Sequence, residues 1–416
     1  MKRNLSTSSA LAVAILLVIY LVAADSIAQE VQPTNNPSVN HTNPQWSPNK
    51  LWIVYERPSP GTGNLSIFKV AVPNPTFLED PVVDDIFTNK QPRWSPVVGT
   101  DGLYWIAFSR NSDPLQPTWF RIHVVDENGL QLRSVSSEPG VPETNQSFVR
   151  SHVFPRWSPD GVSLVFDRGV PKSEEATSSV HCSYSTIRFS PALRAVWPPD
   201  NYLVSPEIGD APSNGSPMRD TSMYKPVWSP VLNPSNPAWN WIVYKRESGL
   251  TVPPAFAQRK IQRMSVLGDD VSGPFDVFVP AMPASCNNPE WSPAADSIVF
   301  SVVDDPSSST SNEDVYVAPF DGNAATINLT PNSPGYMDSS PVWSPVGDNV
   351  AFVRRSTMGG NGQIMIVNVS TLVITEIVGG SADHDKPQWD STGTELVYQK
   401  KIAGSTTWHI FKKPIV

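Results

Sequence analysis

The sequence predicts an all-β protein, a seven-bladed β-propeller of four-stranded antiparallel blades that is closed by pairing of its N- and C-terminal strands. The first observation behind this prediction is a motif, Pro-x-Trp-Ser-Pro, which recurs along the chain with a degenerate last copy. The copies begin at Pro44, Pro92, Pro155, Pro226, Pro289, Pro341 and Pro387. The second is that short apolar segments and turns fill the intervals, without a long helical periodicity. Strand-rich repeats with a period of about 50 residues are typical of propeller blades.

The sixth copy shows the predicted plan of one blade. The strand ending at Trp343 is followed by a turn at 344–348, in which Pro sets φ and Gly permits a positive φ. Apolar segments at 350–353, 364–367 and 373–378 complete a four-stranded meander. Because these strands are apolar on both faces, both faces must be covered, and neighbouring blades of a propeller do this.

The N-terminus is predicted to be a secretory signal peptide over residues 1–28. Lys2 and Arg3 precede an apolar run at 10–24, and Ser26 and Ala28 provide small residues for cleavage. An uncleaved anchor is the alternative, although the run is shorter than the roughly 20 residues of a bilayer span. The mature chain, 29–416, is expected to be a single propeller in the periplasm or outside the cell, without a stable membrane span after cleavage.

The last repeat has only two apolar segments after its motif, so it lacks an outer strand. Residues 29–40 precede the first motif and have no other assigned place. They are therefore predicted to supply the missing strand, which would remove an open sheet edge.

Composition argues against a nucleic acid partner and leaves open whether the two cysteines form a disulfide. The net charge is −9 and no basic cluster is present, so the sequence argues against nucleic acid binding. Cys182 and Cys286 fall in different repeats and do not make a disulfide framework, and their pairing stays open.

The motif also carries a family resemblance. Pro-x-Trp-Ser-Pro-Asp-Gly, complete at 155–161, the Ile-Ala-Phe-like strand that follows and a later Leu-Thr closely resemble the TolB-like, WD40-like propeller repeat. The resemblance covers about residues 40–416 and implies that the Pro-x-Trp strand is the innermost strand of its blade. TolB itself has six repeats and an additional α/β domain, so its specific role is not carried over to this chain.

A second set of positions lies three residues before each motif Pro, and the resemblance implies that these positions face one mouth of the central channel. The set consists of His41, Asn89, His152, Met223, Cys286, Asp338 and His384. The predicted ligand-binding ring is His41, Asn89, His152, Asp338 and His384. Three of its members, His41, Asp338 and His384, form a predicted divalent-cation site, to which Asp383 and Asp385 could add oxygens. The alternative is that these side chains bond to backbone groups of the connecting loops.

The tryptophans divide into two groups. Those of the motif are predicted to be structural residues between blades: Trp46, Trp94, Trp157, Trp228, Trp291, Trp343 and Trp389. Trp119, Trp197 and Trp239 lie in insertions and are candidate contact residues. The longest insertion, 169–224, contains His181, Cys182, Tyr184, Arg194 and Trp197 and is a candidate binding loop.

No complete catalytic constellation is present in the sequence. It contains no Gly-x-Ser-x-Gly, His-Glu-x-x-His, phosphate-loop or dinucleotide motif, and no cofactor is firmly implied. The leading interpretation is therefore a non-enzymatic scaffold that binds an envelope or extracellular protein, peptide or glycan. The alternative is a propeller enzyme, polysaccharide lyase-like or hydrolase-like, that uses a cation and channel-mouth histidines. Oligogalacturonate lyases resemble this type of propeller, but their clustered metal-ligand histidines have no match in this sequence.

Overall fold

The computed structural model of this 416-residue chain describes most of the repeat region. The described residues are 29–34, 36–73, 76–111, 120–136, 151–169, 183–188, 202–204, 221–232, 240–248, 258–265, 275–281, 283–306, 308, 311–331, 335–357, 359–402 and 404–415. The predicted signal peptide at 1–28 lies outside them, as do Trp119, Trp197, Trp239, His181, Cys182 and Arg194.

The first half of the described chain forms four separate four-stranded sheets. The first contains β1 to β4, at Thr42–Trp46, Trp52–Pro58, Leu65–Ala71 and Glu79–Val83. The second contains β5 to β8, at Asn89–Trp94, Trp105–Asn111, Phe120–Asp126 and Arg133–Ser134. The third contains β9 to β12, at Ser151–Trp157, Ser163–Gly169, Ser183–Arg188 and Tyr202–Val204. The fourth contains β13 to β16, at Thr221–Trp228, Trp241–Ser248, Gln258–Ser265 and Phe275–Phe278.

The second half forms an eight-stranded sheet and a three-stranded sheet. Strands β17 to β20 span Ser285–Trp291, Ser297–Val303, Glu313–Pro319 and Ile327–Asn328. Strands β21 to β24 span Tyr336–Trp343, Asn349–Ser356, Gln363–Asn368 and Ile374–Val378. Strands β25 to β27 span Asp383–Trp389, Glu395–Lys401 and His409–Pro414. A single parallel pair, Glu313 with Met337, joins the two halves of the eight-stranded sheet.

Each motif copy ends the first strand of an antiparallel meander. We call β1, β5, β9, β13, β17, β21 and β25 the motif strands, and the strand after each the second strand. Every motif strand pairs in antiparallel register with its second strand. The all-β prediction, with four-stranded antiparallel sheets, is confirmed for the part of the chain that the structure describes.

The hydrophobic core lies between successive sheets. One cluster joins Val54 and Ile67 to Trp94 and Phe108 across the first and second sheets. Equivalent clusters join each later sheet, or half of the eight-stranded sheet, to the next. Another cluster brings Tyr55 and Phe68 of the first sheet against Val397 and Ile410 of the last. The sheets therefore pack face to face in a propeller, and the last sheet contacts the first.

The segment before β1 lies beside β27, but it does not form the predicted outer strand, and the last sheet has three strands among the described residues. Val31 and Lys412 form an isolated antiparallel bridge, in which each backbone N–H donates to the other's carbonyl at 2.9 and 2.8 Å. The backbone N–H of Ile410 donates to the Thr34 hydroxyl at 3.0 Å. Pairing of the two ends is thus a local bridge with side-chain bonds beside it.

Candidate functional site: a cationic channel lined by the motif strands

The positions three residues before each motif Pro lie inside the sheets. Their described side chains are between 0 and 2% exposed: His41, Asn89, His152, Cys286, Asp338 and His384. The side chain of Met223 is outside the described part. The expected position at the mouth of the channel is therefore wrong for the six described members.

A buried aromatic residue of the second strand explains this placement. Tyr55, Phe166 and Tyr398 occupy equivalent positions and are at most 1% exposed. Their rings lie 5.5 Å from His41, 5.0 Å from His152 and 5.9 Å from His384, between centroids. Side chains of a regular strand point to the two faces of its sheet, and in a propeller both faces are covered by neighbouring sheets.

The predicted cation ligands are not brought together. His41 Nε2 lies 2.8 Å from Glu79 Oε1, and His384 Nδ1 lies 2.8 Å from the carbonyl of Gly362. Asp338 accepts two hydrogen bonds from the Arg354 guanidinium, at 2.6 and 2.7 Å. The described residues contain no group of three His, Cys, Asp or Glu side chains that could hold a metal ion. The residues present do not fit the expected site, so we assign no role to a cation.

Asp383, which was expected to add a ligand oxygen, and Cys286 are not available as ligands either. Asp383 accepts bonds from the Arg355 guanidinium at 3.1 Å and from the Gly362 N–H at 2.7 Å. Cys286 is buried and forms no disulfide with a described residue, and burial raises the pKa of its thiol. A thiol held in its neutral form is a poor nucleophile and metal ligand.

The motif tryptophans are placed as structural residues. Five are no more than 9% exposed: Trp46, Trp94, Trp157, Trp228 and Trp291. Trp343 and Trp389 are half-buried and pack against the clusters between sheets. The indole N–H of Trp157, for example, donates to the Arg93 carbonyl of the preceding motif strand at 3.0 Å.

The residue directly before each motif Pro points into the channel instead. All seven have a positive φ, between 50° and 60°: Asn43, Gln91, Phe154, Lys225, Asn288, Ser340 and Lys386. At each of them the pairing with the second strand shifts register, which marks a β-bulge. We call these the bulge residues. A bulge with positive φ turns a side chain away from the sheet face and towards the inner edge of the sheet.

One cavity runs along this inner edge and is lined by all seven motif copies. Its volume is about 290 Å³. The seven bulge residues line it, together with side chains two positions further along the motif strands: Arg93, Arg156, Val227, Glu290, Val342 and Gln388. The repeat therefore gives the channel two layers of side chains that vary between copies while the backbone does not.

The channel is positively charged in a protein whose net charge is negative. Arg93, Arg156, Lys225 and Lys386 line it, and Glu290 is the only carboxylate among the described lining residues. Glu290 is already engaged, because Arg156 Nη2 donates to its Oε1 at 3.1 Å. The Lys225 ammonium donates to the Asn288 side-chain oxygen at 2.5 Å.

Burial and the repulsion between neighbouring positive charges lower the pKa of two of these cations. Burial lowers the pKa of Lys225, and the nearby charges of Lys386 and Arg156 lower it further, against Asp167 and Glu290. Burial, with the charge of Arg156, lowers the pKa of Arg93 to about 9, which leaves it protonated at neutral pH. The channel therefore holds cations that are only partly compensated.

Two carboxylates of the second strands accept backbone N–H groups of bulge residues in the next sheet. Asp167 accepts the Lys225 backbone N–H at 2.7 Å, and Glu56 accepts the Gln91 backbone N–H at 2.5 Å. Burial raises the pKa of Asp167 to about 7 and also raises that of Glu56, in both cases against the backbone bond. These carboxylates position the channel-lining residues of the next motif strand.

Sequence reasoning missed the bulge residues, although the sequence contains a signal for them. Pro has no N–H donor, so a Pro inside a strand that pairs on one side is confined to an edge or a bulge. Here Pro recurs inside every motif strand, which indicates a bulge at the preceding residue. The buried aromatic is also readable, because it follows the motif Trp by nine residues in Tyr55, Phe166 and Tyr398.

Comparison with solved structures identifies the fold. An oligogalacturonate lyase in complex with manganese matches with a TM-score of 0.59 and 11% identity, covering 94% of this chain and 93% of the lyase chain. The propeller domain of the Trilobed protease from Pyrococcus furiosus, which has an open velcro topology, matches with a TM-score of 0.56 and 12% identity over 90% and 95%. Puromycin hydrolase matches with a TM-score of 0.58 and 11% identity over 89% of this chain and 51% of its own.

At these identities the matches establish the propeller fold alone. Solved TolB structures also match, including that from Acinetobacter baumannii with a TM-score of 0.42 and 13% identity over 91% of this chain and 79% of that one. No protein-family model and no curated protein sequence matches the chain. Among the residues that the structure describes, none form a helix of the length and apolarity needed to cross a bilayer.

Proposed function

We propose that this protein is an exported, seven-bladed propeller that serves as a non-enzymatic binding scaffold and receives its partner at the central channel. The observation that carries the proposal is the single cavity lined by all seven motif copies. Seven blades follow if the eight-stranded sheet counts as two, since one residue pair joins its halves. Export rests on the segment 1–28, and the partner class is an envelope or extracellular protein, peptide or glycan rather than a nucleic acid.

A scaffold fits this channel because its side chains vary on a constant backbone. Asn43, Phe154, Lys225 and Ser340 offer an amide, an aromatic ring, an ammonium and a hydroxyl at equivalent positions. Variable side chains on rigid elements are typical of recognition surfaces.

The test of this proposal is binding without turnover. The mature chain, 29–416, is screened against a panel of glycans and peptides, and each bound ligand is recovered and analysed by mass spectrometry. We expect ligands of unchanged mass, and a start of the exported protein near Gln29 by N-terminal sequencing. Recovery of a ligand as fragments would overturn the scaffold in favour of an enzyme.

A matched pair of variants tests the position of the binding site. Val342→Trp places an indole in the cavity, whereas Val373→Trp places it at a position that is 59% exposed. We expect V342W to lose the ligands found for the wild type and V373W to retain them. Equal binding by the two variants would exclude the channel.

The second candidate is a lyase-like enzyme, favoured by the lowered pKa of Lys225 in a cavity that contains arginines. A base with a lowered pKa beside carboxylate-binding cations suits proton abstraction next to a carboxylate. Incubation with oligogalacturonate, with and without Mn²⁺, tests this by the ultraviolet absorbance of an unsaturated product. Alanine at His41 or His384 does not test it, because both imidazoles are buried and their loss would disturb packing.

A further inference from the structure

We propose that the channel is a binding site for a small polycarboxylate, held by Lys225, Lys386 and Arg93. This inference rests on the proposed function, because it names the ligand class of the same channel. It concerns a small acid with two or more separated carboxylates, such as a hydroxylated di- or tricarboxylic acid.

The first argument is the charge balance of the cavity. Of its described lining residues, four are cationic and one, Glu290, is anionic and bonded to Arg156. Lys225 donates to a neutral amide oxygen, and Arg93 donates to the Pro92 carbonyl at 3.0 Å. The Lys386 ammonium makes no hydrogen bond or ion pair to a described residue, and the residue is exposed and lines the cavity. Three cations therefore lack a bonded acidic partner among the residues that the structure describes.

The second argument is that this arrangement is unfavourable without a ligand. Like charges held together in a half-buried cavity repel each other. Burial is the main reason that the pKa of Lys225 is lowered, and the charges of Lys386 and Arg156 lower it further. Two of these cations, Lys225 and Lys386, also have a positive φ, which is unfavourable for a non-glycine residue. Costs that coincide at the same residues are expected at functional sites.

The third argument selects carboxylates over a compact phosphate. Phosphate sites typically present several free backbone N–H groups. Here the bulge N–H groups of Asn43, Gln91, Phe154 and Lys225 already donate to side-chain oxygens of neighbouring strands. The remaining donors are side chains spread around a ring, which suits separated carboxylates. An arginine also binds a carboxylate through two parallel hydrogen bonds.

The fourth argument concerns size. A cavity of about 290 Å³ is at the small end of the range for ligand pockets, roughly 300–1,000 Å³. Amide groups of Gln91 and Asn288 and the Ser340 hydroxyl lie beside the cations and can bond to ligand hydroxyl groups. A small hydroxylated acid therefore fits both the volume and the polar groups.

The experiment measures citrate binding to the mature chain by calorimetry and thermal shift, with inorganic phosphate and glucose as comparison ligands. We expect citrate to bind and to raise the melting temperature, and phosphate to bind about tenfold more weakly or not at all. Added sodium chloride should weaken citrate binding by screening. The proposal would be overturned if the wild-type protein did not bind citrate, or if it bound phosphate as tightly as citrate.

A double variant locates the site. Lys225→Gln with Lys386→Gln should lower citrate affinity by about tenfold or more, since two ion pairs are lost. Lys260→Gln is the matched control, because Lys260 pairs with Asp276 outside the cavity.

Lys386→Gln alone should raise the melting temperature of the ligand-free protein by relieving repulsion. Unchanged citrate affinity in the double variant would overturn the proposed polycarboxylate site. The proposed scaffold function would still stand after that result, because a scaffold can bind a neutral ligand in the same channel.

Discussion

The bulge residues show how one backbone conformation gives the motif strands a functional side chain. Left-handed backbone is unfavourable for residues with a Cβ, yet all seven copies adopt it without a glycine. Glycine would relieve the strain but would leave the channel without a side chain. The strain is therefore the structural cost of a lined channel.

Ser340 offers a direct test, because its side chain makes no contact with a charged group of the described residues. Ser340→Gly should raise the free energy of unfolding by up to about 1 kcal/mol by relieving the left-handed conformation. Ser340→Val should lower it by about 1–3 kcal/mol, since a β-branched residue is poorly tolerated there. Ser339→Val, at an adjacent residue without positive φ, is the control for denaturant unfolding. Equal effects of valine at 339 and 340 would contradict the bulge.

Asp167 is predicted to make stability depend on pH. Its raised pKa, about 7, means that the folded state keeps a proton that the unfolded state loses near pH 4. Stability should therefore fall as pH rises from 4 to 7, by about 1.4 kcal/mol per unit of pKa difference, and then level off. Asp167→Asn keeps an acceptor for the Lys225 N–H and should lose this dependence, whereas Asp101→Asn at an exposed turn should not. Parallel pH profiles for wild type and D167N would refute the assignment.

The turn after each motif strand explains the rest of the motif. The backbone N–H of the residue after the Trp donates to the carbonyl at the start of the second strand in all seven copies, for example from Ser47 to Trp52 at 2.9 Å. In several copies the serine hydroxyl also accepts an N–H from that strand, as Ser292 does from Ser297 at 3.0 Å. The serine is therefore a buried residue whose polar groups are used within the turn.

Asp390 replaces this serine in the last copy and retains its role. Its carboxylate accepts the N–H groups of Thr394 and Glu395 at 2.7 and 2.8 Å, and Lys50 Nζ of the first turn lies 2.6 Å from it. Although burial opposes the shift, the bonds from Lys50, Thr392 and the backbone hold the pKa of Asp390 below its usual value. Its contribution is therefore present above about pH 4 and lost in acid.

Substitution of Asp390 separates the turn from the ion pair. Asp390→Ala leaves two N–H groups without their acceptor and should cost about 2–4 kcal/mol. Asp390→Ser restores the side chain of the other copies and keeps an acceptor for the turn, but it loses the pair with Lys50 and the bonds from Thr392, so it should cost about 1–2 kcal/mol. Urea unfolding at pH 7 measures both. A serine variant as unstable as the alanine variant would show that the ion pair, not the turn, stabilises this element.

These elements also show how far the sequence predicts the structure. Strand content and the structural role of Trp157 follow from repetition, because equivalent residues of a repeat meet equivalent neighbours. The direction of the His41 side chain does not follow, because it depends on which face of the sheet the next sheet covers. The channel cations escaped prediction because Lys225 and Lys386 reach the channel only through a positive φ, which residue type does not reveal for lysine.

Closure of the propeller depends on a few contacts between distant parts of the chain. The segment before β1 contacts β27 through the Val31–Lys412 bridge and a bond from Ile410 to Thr34, and Trp408, just before β27, donates to Asn40. Glu30 adds contacts to the Tyr398 hydroxyl and the Lys400 ammonium. Since the first and last sheets also share a hydrophobic cluster, this segment covers an interface on which the whole ring depends.

Removal of residues 29–40 from the mature chain should therefore destabilise the whole propeller. The segment makes at least five hydrogen bonds to β27 and the residues before it, each contributing about 0.5–1.5 kcal/mol, so we expect a loss of roughly 5 kcal/mol. Thermal unfolding followed by tryptophan fluorescence should show one transition at a lower temperature, because opening one interface exposes the cluster that joins the first and last sheets. A synthetic peptide of residues 29–40 should restore the melting temperature in a concentration-dependent way, whereas a peptide of the same composition in scrambled order should not. An unchanged melting temperature in the shortened chain would mean that the side-chain cluster alone closes the ring and that the bridge is incidental.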